Sequence, residues 1–75
     1  MTIFPNPSSG FFSIESPIPI KAYRLYNMHG QVIKDEVTNN AYSTLIDLKN
    51  LSSGIYFIRI YTQSNTSTHK IILTY

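Results

Sequence analysis

Cysteine is absent from the 75-residue chain, which excludes disulfides, thiolate nucleophiles and thiolate metal sites together. The domain is therefore indifferent to redox compartment. Charge is also scarce, at 13% Asp, Glu, Lys and Arg against about 25% in ordinary soluble domains. Ser, Thr and Asn provide solubility instead, a balance common in extracellular β-domains. The net charge is +2, and the six basic residues, Lys21, Arg24, Lys34, Lys49, Arg59 and Lys70, are dispersed singly along the chain. A nucleic-acid footprint needs basic residues gathered on one surface, so nucleic acid is not an expected partner. No apolar run approaches the roughly 20 residues of a membrane-spanning helix, and no secretory leader opens the sequence. Helix itself has little support, because no segment of ten or more residues carries an apolar stripe at i, i+3, i+4, i+7.

What is present is β chemistry. Hydrophobic residues make up 43% of the chain, and β-branched and aromatic side chains dominate wherever the pattern is regular. A chain of this length makes one small domain, burying only roughly 60% of its unfolded surface. Met1-Thr2-Ile3-Phe4-Pro5 reads like a strand entered in mid-protein, so the natural chain is expected to extend upstream of Met1. Pro5-Asn6-Pro7 follows as a stiff, unpaired strip, and Ser8-Ser9-Gly10 turns it. Phe11 to Glu15 reads as a strand with Phe12 and Ile14 on one face, stopped by Ser16-Pro17-Ile18-Pro19. Ile20 to Asn27 alternates Tyr23 and Leu25 against Ala22, Arg24 and Tyr26. It is predicted to form a hairpin through Asn27-Met28-His29-Gly30 with Gln31 to Glu36, burying Val32 or Ile33, with Ile33 favoured in register with Leu25. Thr38 to Ala41 reads as a loop and Ser43 to Leu48 as a strand with Ile46 and Leu48 inward. Ile55 to Thr62 carries Tyr56, Ile58 and Ile60 inward, and Ser67 to Tyr75 carries Ile71 and Leu73 inward. The predicted fold is all-β: an Ig-like, Greek-key antiparallel β-sandwich of six to seven short strands. Edge strands in so small a sandwich leave its oligomeric state open.

The most informative stretch runs from Asp47 to Ile60. Gly54 is suited to a sharp swing into a strand, and Leu51 can plug the end of the core. Tyr56 then lies two residues into that strand, where its ring is buried and its hydroxyl reaches back to a loop carbonyl. That arrangement is a tyrosine corner. Asp47 is placed to accept from amides of the turn that follows it.

Catalytic constellations are not found in the sequence. His29 and His69 are forty residues apart with no clustered acids to complete a metal site. No nucleophile elbow frames a serine. Asp35 and Glu36 are adjacent and so face opposite sides of a strand, and the three glycines are isolated. The expectation is a non-enzyme with no cofactor, no metal and no small-molecule substrate. Tyrosine, at six residues, is abundant. Alternation turns Tyr26, Phe57 and Tyr61 outward, with Phe11 expected beside them, as an exposed aromatic surface. That surface supports a second reading, a small cell-surface module that binds carbohydrate or protein.

Four segments together resemble a known family. Pro5-Asn6-Pro7-Ser8-Ser9-Gly10 is similar to the Pro-Asn-Pro-x-x-Gly opening of the type A C-terminal sorting domain of the Bacteroidetes type IX (Por) secretion system. Leu25-Tyr26-Asn27-Met28-His29-Gly30-Gln31 resembles the family's hydrophobic-Tyr-Asn-x-x-Gly-Gln segment, departing only at Met28-His29, where the family varies freely. Asp47 through Leu51, Gly54 and Tyr56 to Ile60 continues the likeness, and Lys70-Ile71-Ile72-Leu73 closes it. The resemblance implies a secretion signal and not a catalyst. Such a domain ends a secreted cargo protein and crosses the periplasm with it. The outer-membrane translocon then recognises it and a sortase removes it, leaving the cargo secreted or on the cell surface. The residues it marks are Pro5, Asn6, Pro7, Gly10, Gly30, Asp47, Leu51, Gly54, Tyr56 and Lys70.

Overall fold

The structure, a computed structural model, describes residues 1–4 and 10–74. The expected strip Pro5-Asn6-Pro7, with Ser8, Ser9 and Tyr75, lies outside the described residues. Five strands follow in order: β1 (Thr2–Phe4), β2 (Phe11–Asn27), β3 (Val32–Asp47), β4 (Gly54–Thr62) and β5 (Thr66–Leu73). All their pairings are antiparallel, in the order β1-β2-β4-β5 with β3 added to β2. The all-β expectation holds.

Among the described residues five strands stand where six to seven were expected. Two expected breaks are bends inside continuous strands. Between Glu15↔Ser43 and Ile20↔Ala41 the β2–β3 ladder steps over Ser16 to Pro19 on one strand and only Tyr42 on the other. Pro17 and Pro19 thus sit where β2 bulges away from its partner, the position where a missing amide proton costs no ladder bond. The amide of Ile18 donates to the Ser16 hydroxyl at 3.2 Å instead. Between Ile20↔Ala41 and Ala22↔Val37 the surplus passes to β3, which carries Thr38, Asn39 and Asn40 against Lys21 alone. Asn39 and Asn40 adopt φ of 52° and 61°, a left-handed geometry that asparagine tolerates better than other side-chain-bearing residues. The Thr38 hydroxyl donates to the carbonyl of Ile20 across this corner.

The long β2–β3 hairpin therefore bends, and its two arms recruit different neighbours. Residues 11–15 and 43–47 join β1, while residues 20–27 and 32–37 join β4 and through it β5. The curled sheet closes on one core. The smaller arm contributes Phe12, Ile14 and Ile46, with Leu48 just beyond it. The larger arm contributes Tyr23, Leu25, Ile58, Ile60, Ile71 and Leu73, and Ile20 stands at the bend. Ser67 on β5 comes within 3.9 Å of the Met1 sulfur, so the two ends of the sheet path approach each other.

Burial follows the predicted alternation with one exception. Ile33 is not opposite Leu25; Lys34 is, and Ile33 is the extra residue of a bulge between Leu25↔Lys34 and Tyr26↔Val32. Val32 and Ile33 are 51% and 39% exposed. Among the described residues β3 pairs only with β2, and a strand edge without a neighbour leaves such side chains uncovered.

Candidate recognition surface

Two turns carry most of the marked residues, and they meet at one end of the molecule. At the end of β3, Asp47 Oδ1 accepts from the amide of Lys49 at 2.9 Å. The amide of Leu51 donates to the Leu48 carbonyl at 3.0 Å, and the amide of Leu48 donates to the Gly10 carbonyl at 2.7 Å. These bonds tie the turn to the start of β2. Leu51 is half-buried and packs on the core. Tyr56 is buried, and its hydroxyl donates to the Ser52 carbonyl at 2.7 Å, which completes the expected tyrosine corner. Gly10 is buried at φ 138°, with Lys49 Cγ 3.8 Å from the position of a Cβ. Gly54, expected to need a backbone angle closed to other residues, has φ 157° and open space where a Cβ would stand. That positive φ is one that side-chain-bearing residues rarely adopt, so the expectation at Gly54 holds.

The β2–β3 turn is organised by Asn27, which the sequence pattern did not single out. Asn27 Oδ1 accepts from the amides of His29 at 2.9 Å and Gln31 at 3.0 Å, and Asn27 Nδ2 donates to Gln31 Oε1 at 2.8 Å. A short side chain accepting from amides two and four residues on stabilises a turn from within. Gly30 adopts φ 83°, where a Cβ would be strained. The spacing Asn-x-x-Gly-Gln was the available signal. An open groove of about 410 Å³ separates the two turns, lined by Asn27, His29, Leu51, Ser52 and Tyr56 among others.

The outward face of the larger arm carries Lys70 and the aromatics expected to face outward. Directly paired residues share a face, so the ladders read as rows across β3, β2, β4 and β5. One row is Val32, Tyr26, Phe57 and Lys70; the next is Asp35, Arg24, Arg59 and Thr68; the third is Val37, Ala22, Tyr61 and Thr66. The sheet thus brings Tyr26, Phe57, Tyr61 and Lys70 together, and the three aromatics are half-buried. Phe11, expected beside them, instead pairs with Asp47 on the smaller arm. It belongs to a different part of the curled sheet, and strand alternation alone gives no information on that.

Arg24 and Arg59 were not anticipated here, because their sequence positions are remote and only the register makes them neighbours. Arg24 Nη2 lies 3.4 Å from Asp35 Oδ2, and the Arg59 guanidinium lies over the Tyr26 ring, 5.6 Å from its centroid. Burial acts to raise the Tyr26 phenol. Hydrogen bonding with Arg24 and Tyr61 and the charges of Arg59 and Arg24 outweigh it and hold the group below its ordinary range. Hydrogen bonding to Tyr26 and the charge of Asp35 raise Arg24 further. A groove of about 450 Å³ opens on this face between Tyr26, Met28, Gly30, Phe57, Arg59 and Thr68.

The two histidines stay apart, His29 in the β2–β3 turn and His69 on β5 beside the Ser67 hydroxyl at 3.1 Å. No group of three or more His, Asp or Glu side chains is placed to hold a metal ion among the described residues.

Fold and site define a small all-β domain whose distinctive residues build two tied turns and one aromatic, cationic sheet face. A family model, the secretion system C-terminal sorting domain, matches residues 2–74. The chain belongs to this family, the C-terminal sorting domains of type IX secretion. No curated protein matches the chain.

Proposed function

We propose that this domain is the export address of a larger secreted protein, carried at its C-terminal end and read in the folded state by the outer-membrane translocon. A sortase then removes it, and the cargo is released or held at the cell surface. The domain itself performs no chemistry. The observation that carries this reading is the family match over residues 2–74, joined to the way the motif residues are used. Asp47, Leu51, Tyr56, Asn27 and Gly30 are committed to holding turns, so the motif encodes a rigid shape for a partner to read. The Ig-like character belongs to the same proposal, supported by a tyrosine corner and by two sheet arms closing on one core.

The test is to fuse residues 1–75 to a fluorescent protein bearing a signal peptide in a bacterium with type IX secretion. Fluorescence outside the cell, with the domain removed, is the expected result. Retention of the intact fusion in the periplasm overturns the reading. A second reading, a cell-surface carbohydrate-binding module, is favoured by one observation: Tyr26, Phe57 and Tyr61 share a face, and a groove opens beside Tyr26 and Phe57. Saturable binding of neutral oligosaccharides by the isolated domain would support that alternative.

A further inference from the structure

We infer that the outward face of β2, β4 and β5 is the surface by which the domain docks on an acidic protein surface of the secretion machinery. The inference rests on the export reading. Its basis is a pair of structural costs that folding alone does not require. Arg24 and Arg59 are direct partners on β2 and β4, and like charges placed opposite each other destabilise a sheet. Among the described residues, Arg24 is the one of the two compensated by a carboxylate, Asp35 at 3.4 Å. The chain has four acidic residues in all, and the other three are engaged elsewhere. Glu15 is on the smaller arm opposite Thr2 and Ser43, Glu36 lies opposite Tyr23, and Asp47 caps its own turn. Arg59 therefore has no carboxylate within 4.0 Å among the described residues, and rests on the Tyr26 ring. The second cost is at Arg24 itself, whose Nε is buried with no hydrogen-bond partner among the described residues. A desolvated donor left unmatched opposes folding.

An acidic partner relieves the first cost directly, by supplying the counter-charge that Arg59 lacks. Tyr26, Phe57 and Tyr61 around the two arginines are the residue types that anchor protein interfaces, where Tyr and Arg dominate the binding energy. The reach of the face favours protein over saccharide. Arg24 on β2 and Lys70 on β5 stand two strand spacings and one row apart, about 12 Å, wider than one acidic sugar ring. Carboxylates along an acidic protein segment span that distance.

The experiment uses the exported fusion, with Arg59→Glu, Arg59→Lys and Lys21→Glu beside the parent. Lys21 is exposed at the β2 bulge between Ile20 and Ala22, three residues from Arg24 and outside the Arg24–Arg59 pair, and controls for net charge. Arg59→Glu should reduce extracellular reporter by about tenfold or more, since a like charge set against an acidic partner is repelled. Arg59→Lys should retain most of the export and Lys21→Glu all of it, with thermal melts of the isolated variants near the parent's. Export of Arg59→Glu at the parental level, or equal loss with Lys21→Glu, overturns the inference. Failure of the parent itself overturns the export reading instead. In vitro, the isolated domain should bind a polyglutamate peptide in a salt-dependent manner that Arg59→Glu abolishes. Binding of polygalacturonate without binding of polyglutamate would overturn the protein assignment in favour of an acidic saccharide.

Discussion

The Tyr56 hydroxyl is the clearest case of one group with one structural role. It donates to the Ser52 carbonyl at 2.7 Å while the ring fills the end of the core. Tyr56→Phe keeps the ring and removes the donor. The expected loss is about 1 kcal/mol, read as a fall of roughly 4–8 °C in Tm for a domain of this size. Tyr23 tests the interior instead. Burial, then the charge and hydrogen bonding of Glu36, push its phenol from 10.0 up to about 12. The folded state thus favours the neutral phenol, and its contribution is whole below the unfolded value. As pH rises from 10.0 through about 12 that contribution is lost. Stability measured by denaturant titration should therefore fall over this window, and Tyr23→Phe should show a shallower fall than the parent.

At the scale of elements, the bend of the hairpin depends on two consecutive asparagines at positive φ. Asn40→Gly should be nearly neutral, whereas Asn40→Val should cost about 1–2 kcal/mol, because a side chain branched at Cβ is strained in the left-handed region. Equilibrium unfolding of the two variants separates them. The Asn27 turn makes a parallel case, since Asn27→Ala leaves the amides of His29 and Gln31 without their acceptor. Both features explain why segmentation of the strands was hard to read. Prolines and Asn-Asn pairs normally mark chain reversals, yet here they mark places where a strand continues after a register shift. Whether such a segment ends a strand or bends it is decided by the partner strand, which here supplies a compensating bulge.

For the whole molecule, one thin core shared by two arms means that no part has stability to spare. Typical values per residue give a total of about 4–11 kcal/mol for 75 residues. Ile58 is fully buried at the centre of that core, and Ile58→Ala should cost about 2–5 kcal/mol. On the export reading this variant should fail to deliver a fused reporter because it is unfolded, with lost thermal cooperativity. Arg59→Glu should fail while still melting near the parent's temperature. The two failures are alike outside the cell and distinct in the melt, so shape and surface can be assigned separately.

Local pattern alone determined the all-β class, the inward residues Phe12, Ile14, Tyr23, Leu25, Ile46, Ile58, Ile60, Ile71 and Leu73, and the tyrosine corner. Each of these depends on alternation or on contacts within a few residues, which a sequence states directly. The inward placement of Ile33 failed because a one-residue bulge reverses every face beyond it, and a bulge is a property of two strands together. The joining of Arg24, Arg59, Tyr26, Phe57, Tyr61 and Lys70 into one face, and the removal of Phe11 from it, were decided by tertiary structure. Sequence separation carries no record of which strands become neighbours; that follows from the bend of the β2–β3 hairpin and the register it imposes on β4 and β5.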